Sequence, residues 1–90
     1  MNRTKTCKEA FWTLVAEPGW TTPEFMHWKD GDASGCYITT LDPMDAEKFG
    51  SYRELRDAMK NDGDVSEFMQ DFPNATPAKV AVKTTVSWRN

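Results

Sequence analysis

Ninety residues leave room for one domain, 1–90, with a modest core and little enclosed space, because chains this short bury only about 60 to 65% of their unfolded surface. The formal net charge of −3 conceals a segregation: residues 30–73 hold eleven acids against four Lys/Arg, and the remainder holds three acids against seven Lys/Arg. That balance excludes a uniformly basic phosphate-tracking surface and leaves room for a local basic patch built from the two ends.

No apolar run approaches the roughly 18 to 20 residues of a membrane span, and the polar start MNRTKTCKE lacks the apolar region of a secretory signal. The expectation is a protein without membrane contact, in a bacterial or infected-cell cytoplasm. Cys7 and Cys36 stand far apart with no C-x-x-C spacing, which predicts two reduced thiols. Two cysteines and one histidine do not assemble a structural zinc site, and no metal or cofactor is expected.

In chain order, residues 1–6 are polar and expected to fray. Glu9 to Glu17 then reads as a strand apolar on both faces, with Ala10, Trp12, Leu14 and Ala16 on one side and Phe11, Thr13 and Val15 on the other. Pro18-Gly19 ends it. Residues 20–29 fit two patterns: a capping box from Thr21 to Glu24, or a hairpin arm from Phe25 to Lys29 turning at Asp30-Gly31, which is the favoured reading. The return strand is Cys36 to Leu41, rich in β-branched and aromatic residues and stopped by Asp42-Pro43. A helix opens at Ser51, whose hydroxyl caps the N–H of Glu54 while the Glu54 carboxylate reaches back to the N–H of Ser51. It carries a thin stripe of Tyr52, Leu55 and Met59, with Phe49 ahead of the cap, and Asn61-Asp62-Gly63 stops it near Lys60. A second helix follows: Asp64 and Glu67 form a cap pair, Val65, Phe68, Met69 and Phe72 recur at helical spacing, and Pro73 closes it. From Ala78 to Arg89 the chain alternates, which assigns Val80, Val82, Thr84, Val86 and Trp88 to a core face and Lys79, Lys83 and Arg89 to the wet one. The predicted fold is α+β: a mainly antiparallel sheet of three to four strands, order β-β-β-α-α-β, with two short helices on one face.

Candidate chemistry is sparse. Asp30 to Gly35 opens like a calcium loop, D-x-D-x-S-G, but its twelfth position is Leu41 where a bidentate Glu is needed, so a glycine-rich hairpin turn is expected. His27 is the sole histidine, its only potential nucleophile partners are Cys7 and Cys36, and neither has a supporting context. Asp42, Asp45 and Glu47 fall in the turn before a helix, where carboxylates serve the helix N-terminus. The chain is therefore read as no enzyme. Four Trp, five Phe and two Tyr first suggest a core that uses large aromatics to bury enough area. An alternative face of Phe11, Trp12, Lys79, Lys83, Trp88 and Arg89 would stack and track single-stranded nucleic acid.

The stretch from Cys36 to Met59, through Ala46, Phe49, Ser51 and Glu54 in an A-x-x-F-x-S-x-x-E arrangement, resembles a pattern in short uncharacterised proteins of phages, prophages and other mobile elements. There a strand leads into a capped helix and a final strand completes a small sheet. The resemblance covers under a third of the chain and includes neither the second helix nor residues 18–35. It implies an accessory protein that binds a host or competitor protein. The function expected is thus non-enzymatic protein binding, plausible as inhibition or modulation of a host protein with a basic surface. The acidic helical face would carry it, through Glu54, Asp57, Asp62, Asp64, Glu67 and Asp71, because residues 42–71 concentrate nine acids against four Lys/Arg. Nucleic-acid binding through the aromatic and basic sheet face is the alternative.

Overall fold

The computed structural model describes residues 2–31 and 35–89. Its elements in chain order are β1 (Asn2–Val15), β2 (Phe25–Lys29), β3 (Cys36–Thr40), a 3-10 turn (Pro43–Asp45), α1 (Tyr52–Asn61), α2 (Gly63–Asp71) and β4 (Thr76–Arg89). The strands form one antiparallel sheet in the order β3-β2-β1-β4, so the predicted α+β architecture and element order hold. Phe25 to Lys29 is the hairpin arm, paired from Phe25↔Thr40 to Lys29↔Cys36. The calcium-like string includes residues 32–34, which lie outside the described residues. Gly35, just after them, sits where a Cβ would fall 2.0 Å from the Trp28 ring; without that side chain the indole lies against the Gly35 backbone and donates to Asp30 Oδ1 at 2.8 Å.

β1 and β4 pair without interruption from Asn2↔Arg89 to Val15↔Thr76. The strand therefore runs back through residues 2–6, which the sequence had suggested would fray: cross-strand pairing with residues 85–89 supplies the backbone partners that a local reading cannot see. At the other end of β1 both faces are covered. Leu14 and Ala16 pack with Met26, Leu55, Val65 and Phe68 beneath the two helices. The opposite face holds Phe11 and Thr13, also buried.

That second burial has a specific cause. β1 and β2 share one pair, Val15↔Phe25, and then diverge. Residues 46–49 fill the gap: Glu47 N–H donates to the Met26 carbonyl at 2.7 Å, and Trp12 and Phe49 exchange both backbone bonds at 2.8 Å. Ala46 is buried, and the Lys48 ammonium lies 5.2 Å from the Phe11 ring centre, within cation–π range.

The helix boundaries follow the expected pattern while the caps differ in detail. Ser51 Oγ accepts from Glu54 N–H at 3.1 Å, but the Glu54 carboxylate takes the N–H of Gly50 at 2.9 Å, one residue earlier than a standard capping box. α2 is capped by Asp62, which accepts from Asp64 and Val65 N–H groups, and not by the pair Asp64 and Glu67. Gly63 opens α2 instead of ending α1, and no glycine among the described residues has positive φ. Asp62 closes one helix and caps the next, so no left-handed residue is needed.

The largest departure concerns the far half of the β1–β4 ribbon. Every residue from 2 to 10 and from 83 to 89 is exposed. Val86 and Trp88, expected in the core, are 49% and 44% exposed, because neither helices nor a second sheet reaches them. Eight residue pairs, Asn2↔Arg89 to Glu9↔Val82, make an arm about 25 Å long at about 3.4 Å per residue. The radius of gyration is 15.9 Å and the molecule measures 53 × 31 × 27 Å, whereas a compact chain of this length has a radius near 12 Å.

Two stability outcomes follow from this division. Leu14→Ala should lower unfolding free energy by about 2 to 5 kcal/mol, and Val86→Ala by under about 1 kcal/mol, in urea titrations; equal losses would place Val86 in the core after all. Thr13 is fully buried with no hydrogen-bond partner for its hydroxyl among the described residues, so Thr13→Val should raise stability by about 1 kcal/mol, and a loss would mean the hydroxyl is bonded.

Candidate nucleic-acid interface on the β-ribbon arm

Directly opposed residues of an antiparallel pair share a face, so the register sorts the arm's side chains into two surfaces. One surface continues the helix-covered side of the sheet. It carries Lys8 opposite Lys83, Lys79 opposite Trp12, and Arg89 opposite Asn2. Between these cations the opposed side chains are small: Ala10 and Ala81 line a shallow depression together with Lys8, Lys83, Glu9 and Val82, and Thr4 and Ser87 line a second one with Asn2, Trp88 and Arg89. The other surface carries Arg3, Lys5, Cys7 and Glu9 opposite Trp88, Val86, Thr84 and Val82. Over the eight pairs the arm holds five cations and one acid.

Lys8 opposite Lys83 decides how this surface is read. Like charges directly across a pair destabilise it by a few tenths to about 1 kcal/mol, and a two-stranded ribbon with no third strand is already marginal in water. The pair does nothing for the fold. It places two lysines directly across the ladder next to Ala10 and Ala81, with the hydroxyl residues Thr4 and Ser87 further along the same surface. Such a surface can take anionic oxygens spaced along a chain.

The alternative set named from sequence is divided by the register. Trp12, Lys79, Lys83 and Arg89 lie on the cationic surface, while Phe11 and Trp88 lie on the other. Phe11 is buried, and Trp12 is half-buried with its ring centre 5.1 Å from that of Tyr52. The three aromatics do not form a stacking platform. Lys8 went unnoticed in the sequence because its meeting with Lys83 depends on a register that no local pattern reveals.

The acidic set is also redistributed. α1 interleaves Glu54 and Asp57 with Arg53, Arg56 and Lys60, so its outer surface is mixed in sign. Glu54 is engaged with Gly50 and Asp62 is the α2 cap. Asp64, Glu67 and Asp71 remain together, on a helix with no Lys or Arg, at the rim of a cleft between α2 and β3 lined by Tyr37, Ile38 and Phe68. Burial, and then the negative charges of Glu47, Asp62 and Asp64, push the Tyr37 phenol up to about 12. His27 makes a hydrogen bond through Nδ1 to the Asp45 carbonyl, a structural tie between the hairpin and the 3-10 turn. Among the described residues no three His, Cys, Asp or Glu side chains are placed to hold a metal ion, and no helix is long and apolar enough to cross a membrane.

No family model, curated protein or solved structure matches the chain.

The Tyr37 shift has a definite sign in pH. The folded protein keeps the phenol protonated above the unfolded value of 10, so the contribution is fully present below pH 10 and is lost as pH rises from 10 toward 12. In a Tyr52→Phe background, phenolate absorbance should appear near pH 12 in the folded protein; a midpoint at 10 would show Tyr37 open to water.

Proposed function

We propose that this chain binds B-form DNA through the cationic surface of its β-ribbon arm. The observation that carries the reading is the exposed Lys8–Lys83 pair, a local repulsion that polyanion binding turns into attraction. Shape supports it. Two strands lie about 4.8 Å apart, and the B-DNA major groove, about 12 Å wide, admits a two-stranded β-ribbon. The deep, narrow major groove of A-form RNA does not. Lysine and arginine would meet phosphates, and the hydroxyls of Thr4 and Ser87 are suited to phosphate or base-edge contacts. The acids of α2 would be repelled by the same phosphates, which favours approach arm first.

A second reading is protein binding by the acidic side. It is favoured by the cleft between α2 and β3, where Asp64, Glu67 and Asp71 stand over Tyr37 and Phe68. In that reading the chain is a modulator, of the mobile-element kind, of a host or competitor protein with a basic surface.

Titrating a fluorescent duplex at several NaCl concentrations tests the first reading. Four cationic contacts would give a slope of log affinity against log salt of about −3 to −4. The double variant Lys8→Ala/Lys83→Ala should flatten that slope by about 2 with the thermal midpoint unchanged or slightly raised. Asp64→Lys/Glu67→Lys should leave DNA affinity unchanged or increase it. Equal binding by the arm variant and the parent protein would remove the arm from the interface and promote the protein-binding reading.

A further inference from the structure

The second surface of the arm is amphipathic and uncovered, and its chemistry matches a site on the same chain. We infer that this surface, through Arg3, Lys5, Val86 and Trp88, docks a second copy of the protein in the cleft between α2 and β3. The inference stands apart from DNA binding, which uses the opposite surface of the arm.

Three observations select that occupant. The accessible surface is 6395 Å² for a chain of 10.3 kDa, and a folded monomer of that mass exposes about 5,400 Å². The excess, on the order of 1,000 Å², is of the size that one partner contributes to a standard stable interface, about 800 Å². Next, the uncovered apolar side chains sit beside cations, with Trp88 opposite Arg3 and Val86 opposite Lys5. The cleft offers the complement: Tyr37 and Ile38 as apolar contacts over the buried Phe68, and Asp64, Glu67 and Asp71 with no basic residue on α2 to neutralise them. Finally, packing two such arm surfaces on each other would set Arg3 and Lys5 against their own copies, and like charges in contact are strongly disfavoured at interfaces. Arm in cleft joins opposite charges, and when it is reciprocal each copy contributes both an arm and a cleft, closing a twofold dimer.

The test needs no DNA. Sedimentation velocity at low salt should find a discrete dimer that dissociates toward monomer as salt rises. Arg3→Glu/Lys5→Glu and Glu67→Lys/Asp71→Lys should each weaken self-association by about a hundredfold or more, since like-charge contacts cost several kcal/mol. An equimolar mixture of the two variants should recover a dimer, because reversed arm then meets reversed cleft and native arm meets native cleft. Recovery also demonstrates that both variants are folded. The inference is overturned if the parent protein is monomeric up to high micromolar concentration at low salt. It is equally overturned by a dimer that survives the cleft substitutions, which points to arm-to-arm or edge-to-edge pairing, or by a mixture of monomeric variants that fails to recombine.

Discussion

Because β1 and β4 lie at opposite ends of the chain, their first contact, Val15 with Thr76, closes a loop of sixty residues. The entropy of that closure costs about 3 to 4 kcal/mol beyond the constant term, and everything that follows depends on its being offset. The residues that offset it are at the closing end: Leu14 and Ala16 under the helices, Phe11 and Thr13 on the opposite face. Once that end is fixed, each further pair toward Asn2↔Arg89 extends the ladder with no new loop to close. The arm is thus a continuation of the core strands, rigid at its root and held toward its tip by backbone hydrogen bonds alone. Its local opening free energy must fall along its length, since covered side chains end near Phe11 and Val82.

The gap between β1 and β2 gives the small core its second layer. A sheet with β1 and β2 fully paired would leave Phe11 and Thr13 facing water. The divergence after Val15↔Phe25 lets residues 46–49 enter as a surrogate strand, satisfying backbone groups of Trp12 and Met26 while burying Ala46 and laying Lys48 over Phe11. The same segment leads directly into Ser51 and the first turn of α1. One connection therefore completes the sheet, covers its far face and aims the helices at the near one.

Local chemistry was legible in the sequence, and long-range register was not. The periodicity of Val65, Phe68, Met69 and Phe72 marked α2 because helix spacing is intrinsic to about two consecutive turns' worth of side chains. Alternation from Ala78 to Arg89 correctly sorted Val86 and Trp88 from Lys83 and Arg89, yet alternation reports which side a residue takes and not whether anything covers that side. Polar residues 2–6 looked like a tail because nothing local distinguishes a frayed end from a strand paired with residues 85–89. The caps moved by one or two positions because Asp62 and Glu54 reach whichever N–H their backbone geometry presents. Phe11 and Trp12, adjacent in sequence, were grouped for stacking although neighbours in a strand point to opposite faces. Lys8 with Lys83 was invisible for the converse reason: seventy-five positions apart, they become neighbours only through the register.

Along a molecule 53 Å long, attraction between the cationic arm and the acidic α2 fades wherever their charges lie farther apart than the Debye length of about 8 Å at physiological ionic strength. Their attraction within one molecule is screened and contributes little to folding, while Lys8 against Lys83 contributes unfavourably. Each pole's field reaches about a Debye length into solvent, and under the proposed readings it acts there on another molecule. The two surfaces of the arm do not compete for that molecule, since opposed residues alternate between them along the same strands. A second copy on the Trp88 surface leaves Lys8, Lys83 and Arg89 open. Pairing two chains would then present two cationic ribbons to one duplex, and the second contact would form at an effective concentration set by the dimer geometry. Self-association and DNA affinity would be linked in free energy although no residue serves both.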